Sequence, residues 1–260
     1  MDCMVQVGYV LEGVEVVVAG LSTQEIDHFC HRHLPPKPLV VAASPGLPRF
    51  WVARLSNRLY QARRDDEPLE SPTCQARAEA QLANHLHLWV AEHCRQRIMI
   101  HAGVVAWGTR VLLLPGRSMS GKSTLVEALC RHGASYWSDD LAVVHPEGRT
   151  SPYVLPLSRR LTRDAVFMPQ PAQRSATVVA VLFSHFHKAG NNRLRPLGQA
   201  HGLRQLLGHC PALSRHPERV LPIAADLARR VTFHHLQRGE AEGVVDKVRS
   251  LMFTSTSSSS

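Results

Sequence analysis

The 260-residue chain contains no apolar run near the roughly 18 residues of a membrane-spanning helix. The longest candidates, such as Ile98 to Trp107, are interrupted by His101 and Gly103, so a transmembrane helix is excluded. The opening Met1-Asp2-Cys3-Met4 carries an acid where a secretory leader carries lysine or arginine, and no small-residue cleavage site follows, so the expected compartment is the cytoplasm. Cysteine is sparse: the six residues at 3, 30, 74, 94, 130 and 210 form no Cys-x-x-Cys pair, which excludes a disulfide framework and a zinc ribbon. Lysine is rarer still. Of the 30 basic residues, four are lysine (Lys37, Lys122, Lys188, Lys247) and 26 are arginine, so each lysine invites a reason. The formal charge of +9 is not gathered into one stretch but spread from Arg32 to Arg249, which fits a solvated basic surface better than a nucleic-acid groove. There is no internal repeat.

What is present is enough apolar material, 44% of residues, to bury the core of one large or two small domains. Alternation around Gly8 and Gly13 over residues 5 to 19 predicts a strand, turn and strand. Ser22-Thr23-Gln24-Glu25 is a capping box opening a short helix that Pro35-Pro36 ends. Residues 49 to 60 read as a strand pair turning at Ser56-Asn57, and 63 to 73 as a polar connector. Leu82, Leu86, Trp89, Val90 and His93 recur at helical spacing, which predicts an amphipathic helix over 74 to 96. From Ile98 the pattern changes to short buried strands alternating with helices: strands over 98–105, 110–114, near Tyr136, 141–144, 153–155 and 177–183, with helices over 122–132, 199–207 and 239–252. The expected class is α/β with a mixed sheet, preceded by a small α+β module. The expected divisions are residues 1–97, 98–253 and a serine-threonine tail, 254–260, with nothing to bury.

One segment carries a chemical signature. Gly116-Arg117-Ser118-Met119-Ser120-Gly121-Lys122-Ser123 matches G-x-x-x-x-G-K-[ST] at every fixed position, after the apolar strand Val111 to Leu114 and before a helix ended by Gly133. Glycines let successive backbone N–H groups converge on phosphate oxygens, and the helix N-terminus adds a favourable dipole. Lys122 is a compact charge that can follow the β- and γ-phosphates of ATP, and Ser123 offers a hydroxyl to Mg²⁺. The bland alternative is a glycine-rich turn that holds no ligand.

Downstream lies Ser138-Asp139-Asp140, flanked by Tyr136-Trp137 and by Leu141 to Val144. Two carboxylates facing a triphosphate can divide the work, one on Mg²⁺ and one taking a proton from an attacking hydroxyl. Neighbouring side chains of a strand face opposite ways, so both can serve only at a strand end or bulge; a plain Asp-Asp turn is the alternative. His101 interrupts the strand before the loop strand. His28, Cys30, His31 and His33 have zinc-like composition but share one short helix on which they cannot all converge.

Together, Ile100-His101-Ala102-Gly103-Val104-Val105, the loop from Gly116 to Thr124, and Ser138-Asp139-Asp140 resemble the catalytic domain of HPr kinase/phosphorylase over about residues 98 to 200. The resemblance implies a fold related to phosphoenolpyruvate carboxykinase and phosphoryl transfer from ATP to a serine hydroxyl. It implies Asp139 as general base, Asp140 as a magnesium-associated carboxylate, Ser123 as a metal ligand and His101 beside the phosphates. Thr124 stands where bacterial HPr kinases usually have glutamate, and Gln173-Arg174-Ser175 only faintly echoes the family's later glycine- and arginine-bearing segment. Divergent HPr-kinase-like proteins, some associated with ribosomally made peptides, are more similar, through Pro156-Leu157-Ser158-Arg159 and Arg195-Pro196-Leu197. This implies a peptide or protein hydroxyl as acceptor and Arg159 as a contact to phosphate or acceptor, and allows a homo-oligomer. Two other classes stay open. A non-catalytic ATP-binding regulator needs the loop but not Asp139, and a small-molecule kinase needs an arginine-rich lid, for which Arg159, Arg160 and Arg163 are the clustered candidates.

Overall fold

The computed structural model of the chain describes residues 4–35, 38–116, 120–154, 175–188 and 190–253. The expected tail, Arg159, Arg160 and Arg163, and loop residues Arg117, Ser118 and Met119 lie outside the described residues. The chain divides into two compact units at Arg95/Gln96, two residues before the expected boundary at 97.

The first unit is built on a six-stranded sheet. Strands β1 (Val5–Leu11) and β2 (Val14–Gly20) form the expected hairpin, and helix α1 (Thr23–His33) follows. Ser22 caps α1: its Oγ accepts from Glu25 N at 3.2 Å, while Glu25 Oε2 accepts from Leu21 N at 2.8 Å. Then come β3 (Leu39–Val41), β4 (Arg49–Arg54), β5 (Tyr60–Arg64), β6 (Glu67–Pro68) and helix α2 (Gln75–His93). The sheet order is β3-β1-β2-β4-β5-β6, with β2 and β4 parallel. Residues 63–73, expected as a connector, contain the end of β5 and all of β6, because Arg63 and Arg64 pair back onto Pro68 and Glu67. Helix α2 buries Ala78, Leu82, Leu86 and Val90, a four-residue spacing that keeps one stripe on the sheet.

The second unit is α/β with a mixed sheet. Its elements are β7 (Ile98–Trp107), β8 (Arg110–Pro115), α3 (Lys122–Arg131), β9 (Ser135–Ser138), β10 (Leu141–Val144), β11 (Arg149–Ser151), β12 (Ala176–Phe186), β13 (Arg193–Leu197), α4 (Gln199–Leu207), α5 (Pro217–Arg230), β14 (Thr232–Arg238) and α6 (Val245–Leu251). Strand order is β11-β10-β7-β8-β12-β14-β13, with β9 also paired to β7. Strands β8, β12 and β14 run parallel, so their carboxyl ends share one edge, while β7 and β13 are antiparallel to their neighbours.

Alternate side chains of these strands fill two cores. Val111, Leu113, Val181, Phe183 and Phe233 pack with α4 and α5, and Leu112, Leu114, Leu182 and Leu236 pack with α3 and α6. Two expectations need correction. Of the strand expected at 153–155, Leu155 lies outside the described residues and Tyr153 and Val154 carry no strand; the nearby strand is β11 at 149–151, where Thr150 and Ser151 pair with β10 and Pro152 ends the run. The helix expected over 239–252 starts only at Val245, after a short 3-10 turn at Glu242–Val244. Helix α5 and strand β14 were not foreseen. Pro217 opens α5 and Pro222 lies inside it, where the buried stripe of Val220, Ala224, Leu227 and Ala228 outweighs one missing backbone bond.

Candidate active site

Strand β8 delivers Gly116 to the end of the sheet, buried, and α3 begins at Lys122. Gly121 sits at φ 84°, in the left-handed region, and a Cβ there would lie 2.6 Å from Arg238 Nη2. Only glycine fits that combination. Arg238, at the end of β14, is 1% exposed. It donates from Nη2 to Gly121 O at 2.8 Å, from Nη1 to Gly239 O at 2.8 Å and from Nε to Ser184 Oγ at 3.2 Å. Its guanidinium also lies 5.4 Å from the centre of the Phe186 ring. One buried side chain therefore ties the loop's last glycine to β12 and β14.

The Lys122 ammonium is buried and donates to Gly116 O at 2.7 Å, which closes the loop across its own mouth. Burial pulls the Lys122 pKa below the ordinary lysine value, and the nearby Asp140 and Asp139 carboxylates pull the other way. The loop's cation thus faces the acidic pair.

That pair occupies a break in the sheet. Strands β9 and β10 pair with the same edge of β7, Ser138 opposite Val104 and Leu141 opposite His101, leaving Asp139-Asp140 opposite Ala102-Gly103. Asp140 O accepts from Ala102 N at 3.0 Å, and Ser138 Oγ accepts from Asp140 N and Leu141 N at 3.3 and 3.1 Å, which fixes the bend. Strand alternation is suspended there, so both carboxylates reach groups beside the loop. Asp139, 7% exposed, accepts from Ser123 Oγ at 3.2 Å on Oδ2 and from Tyr136 OH at 2.8 Å on Oδ1. Burial and then the neighbouring Asp139 push the Tyr136 phenol far above its ordinary pKa, so it remains a donor. Asp140 Oδ1 lies 3.0 Å from His101 Nε2, and both side chains are partly exposed.

Gly103 explains how α3 comes so close to β7: a Cβ there would lie 2.7 Å from Val126 Cγ2. The His101-Ala102-Gly103 segment thus supplies a side chain to the acidic pair and a bare backbone for the loop helix. Lys122, Ser123, Asp139, Asp140 and His101 are brought together. Their pairing differs from the sequence reading, which set Ser123 with Asp140; here Ser123 bonds Asp139. Ser120 is half-buried beside Gly116, and Thr124 is exposed in the first turn of α3. Tyr136 and Arg238 were missed: Tyr136 sits three residues before Asp139 in an apolar run, and nothing in sequence separates Arg238 from 25 other arginines.

The donors suit a magnesium phosphate. A serine hydroxyl and two carboxylates are hard oxygen ligands, and Mg²⁺ takes few of these because water and phosphate complete its shell. Among the described residues no three His, Cys, Asp or Glu side chains form a metal-holding group. No protein-family model and no curated protein matched the chain. No helix among the described residues is long and apolar enough to cross a membrane.

Proposed function

We propose that the chain is an ATP- and Mg²⁺-dependent kinase of the HPr-kinase-like type, with a catalytic fold related to phosphoenolpyruvate carboxykinase, acting on a serine or similar hydroxyl of a protein or peptide. The observation that carries this reading is the meeting of the phosphate loop with the acidic pair: Ser123 Oγ on Asp139 Oδ2 at 3.2 Å, with His101 on Asp140 at 3.0 Å. The second carboxylate, partly exposed beside its histidine, leaves the buried Asp139 for proton transfer in this reading.

The roles follow from the contacts. Lys122 and the loop amides hold the phosphates, and Arg238 holds the loop. Asp139 Oδ2 already accepts from one hydroxyl over the loop, so an acceptor hydroxyl placed there is within its reach, while Tyr136 fixes the other oxygen. The acceptor oxygen attacks the γ-phosphorus, its proton passes to Asp139, and the bond to the bridging oxygen breaks with its electron pair leaving on ADP. Ser123 and Asp140 would hold Mg²⁺, which when bound neutralises charge on the β- and γ-oxygens. His101 orients Asp140.

The test is transfer of label from γ-labelled ATP to pooled serine-containing peptides, with magnesium, by the purified chain. Labelled peptide is the expected result. Tight ATP binding with no transfer to any acceptor would replace this reading with the nucleotide-binding regulator.

A further inference from the structure

On the side of the phosphate loop away from the acidic pair, a cavity of about 460 Å³ opens against Gly116 and Ser120 at the carboxyl ends of β8, β12 and β14. Helix α4 and the turn after it close it with Arg204, Gln205 and His209, and the strands add His185 and His235. The wall holds one guanidinium and three imidazoles and no carboxylate among the described residues. Two buried polar atoms in it, Ser120 Oγ and Gln205 Oε1, have no hydrogen-bond partner among the described residues. His185 and His235 lie with ring centres 5.9 Å apart, close enough for one small anion to touch both. Backbone joins the cavity to the chemistry: His209 O accepts from His101 N at 2.8 Å, and His101 is the partner of Asp140.

We propose that this cavity is an oxyanion subsite, separate from the loop's own phosphate cradle, that takes a carboxylate or phosphate group beside the reacting phosphates. The assignment rests on the kinase reading for its place next to the reaction, but not for the cavity's chemistry. Two sources could supply the group: an acidic residue on the acceptor, or free inorganic phosphate. Ordinary lysine-rich phosphate capture does not explain it, since no lysine lines the wall; imidazole N–H groups with one guanidinium grip an anion through hydrogen bonds.

The experiment titrates inorganic phosphate calorimetrically into the full-length chain saturated with magnesium and the non-hydrolysable analogue AMP-PNP, so that the loop is filled. Wild type should bind phosphate in that state, and Arg204→Gln and His235→Gln should each weaken it by about tenfold or more, as expected for loss of a charged or polar partner. AMP-PNP affinity should not change, and thermal melts confirm that both variants fold. In parallel, transfer is compared between serine peptides flanked by Glu or Asp and the same peptides with Gln or Asn. A preference for the acidic pool that disappears in Arg204→Gln assigns the site to the acceptor; phosphate binding with no such preference assigns it to free phosphate. No phosphate binding to the filled chain together with no acidic preference overturns the proposal. Should AMP-PNP itself fail to bind, the kinase reading falls instead, and phosphate titrated onto the bare chain still decides the cavity, because its binding must depend on Arg204 and not on Lys122.

Discussion

The two flanks of β8 are built on opposite terms. Toward β7, β9 and β10, the functional groups are already engaged: Asp139 accepts two hydrogen bonds, Asp140 holds His101, and Lys122 closes on Gly116. Toward β12, β14 and α4, two buried polar atoms stand without partners among the described residues, beside a wall of imidazoles. A preorganised flank pays its ordering cost during folding and presents fixed groups to the reaction. The contrast teaches that one fold can place a hydrogen-bonded cluster and a cavity edged by unsatisfied polar atoms on adjacent strands, separated by a single glycine-rich loop.

The largest effect expected on this contrast comes from Lys122→Ala. It removes the buried cation common to loop and acidic pair, and the remaining amides cannot replace its charge. Calorimetry should then find no measurable ATP binding; wild-type affinity and turnover in that variant would remove the loop from the account. Next is Asp140→Asn. Wild-type ATP affinity should rise with magnesium, and the variant should flatten that rise, because one hard oxygen donor is lost. A metal titration giving the same ATP affinity at every magnesium concentration in wild type contradicts the assignment.

A smaller pair of changes breaks the comparison directly. Tyr136→Phe deletes the phenol that holds Asp139 and should destabilise the unit by about 1.5–3 kcal/mol, the range for a hydrogen bond to a charged group. Gln205→Leu deletes an acceptor that lacks a partner among the described residues, and should leave the ligand-free melting temperature unchanged or higher. If both lower it equally, the flanks do not differ as described.

The smallest expected effect is on pH. Burial, and then the neighbouring His185, Arg195 and His201, hold the His235 pKa below the ordinary imidazole value of 6.5. Across the window between the folded and unfolded values the unfolded chain binds more protons, so stability rises with pH there and is lost as pH falls through 6.5. His235→Gln should flatten that slope in denaturant midpoints measured across the window.

The preorganised flank was largely legible in the sequence, because its signals are local. A phosphate loop needs its glycines and lysine at fixed spacing, and His101-Ala102-Gly103 and Asp139-Asp140 are short runs on consecutive elements. What the sequence could not tell was their pairing: that Ser123 meets Asp139 depends on β9 and β10 sharing one edge of β7 with a two-residue break. The receptive flank was not legible at all. Its groups come from β12, α4 and β14, separated by tens of residues, and two of those elements carry His and Arg where a reader looks for apolar periodicity. Strand β14, read as no element, supplies both His235 and the loop-gripping Arg238. Helix α5 carries Pro222 in its interior, where proline ordinarily argues against a helix.

In the proposed mechanism Asp139 takes the acceptor's proton at a site where nucleotide is held by other groups. Asp139→Asn keeps the side chain's size and can still accept from Tyr136, but it has lost the proton acceptor. Measured on one preparation of the variant, ATP affinity should stay within about twofold of wild type while phosphoryl transfer to a serine peptide falls by about 10² to 10⁴. Transfer at the wild-type rate would contradict the account, because the acidic pair would then have no part in the chemistry.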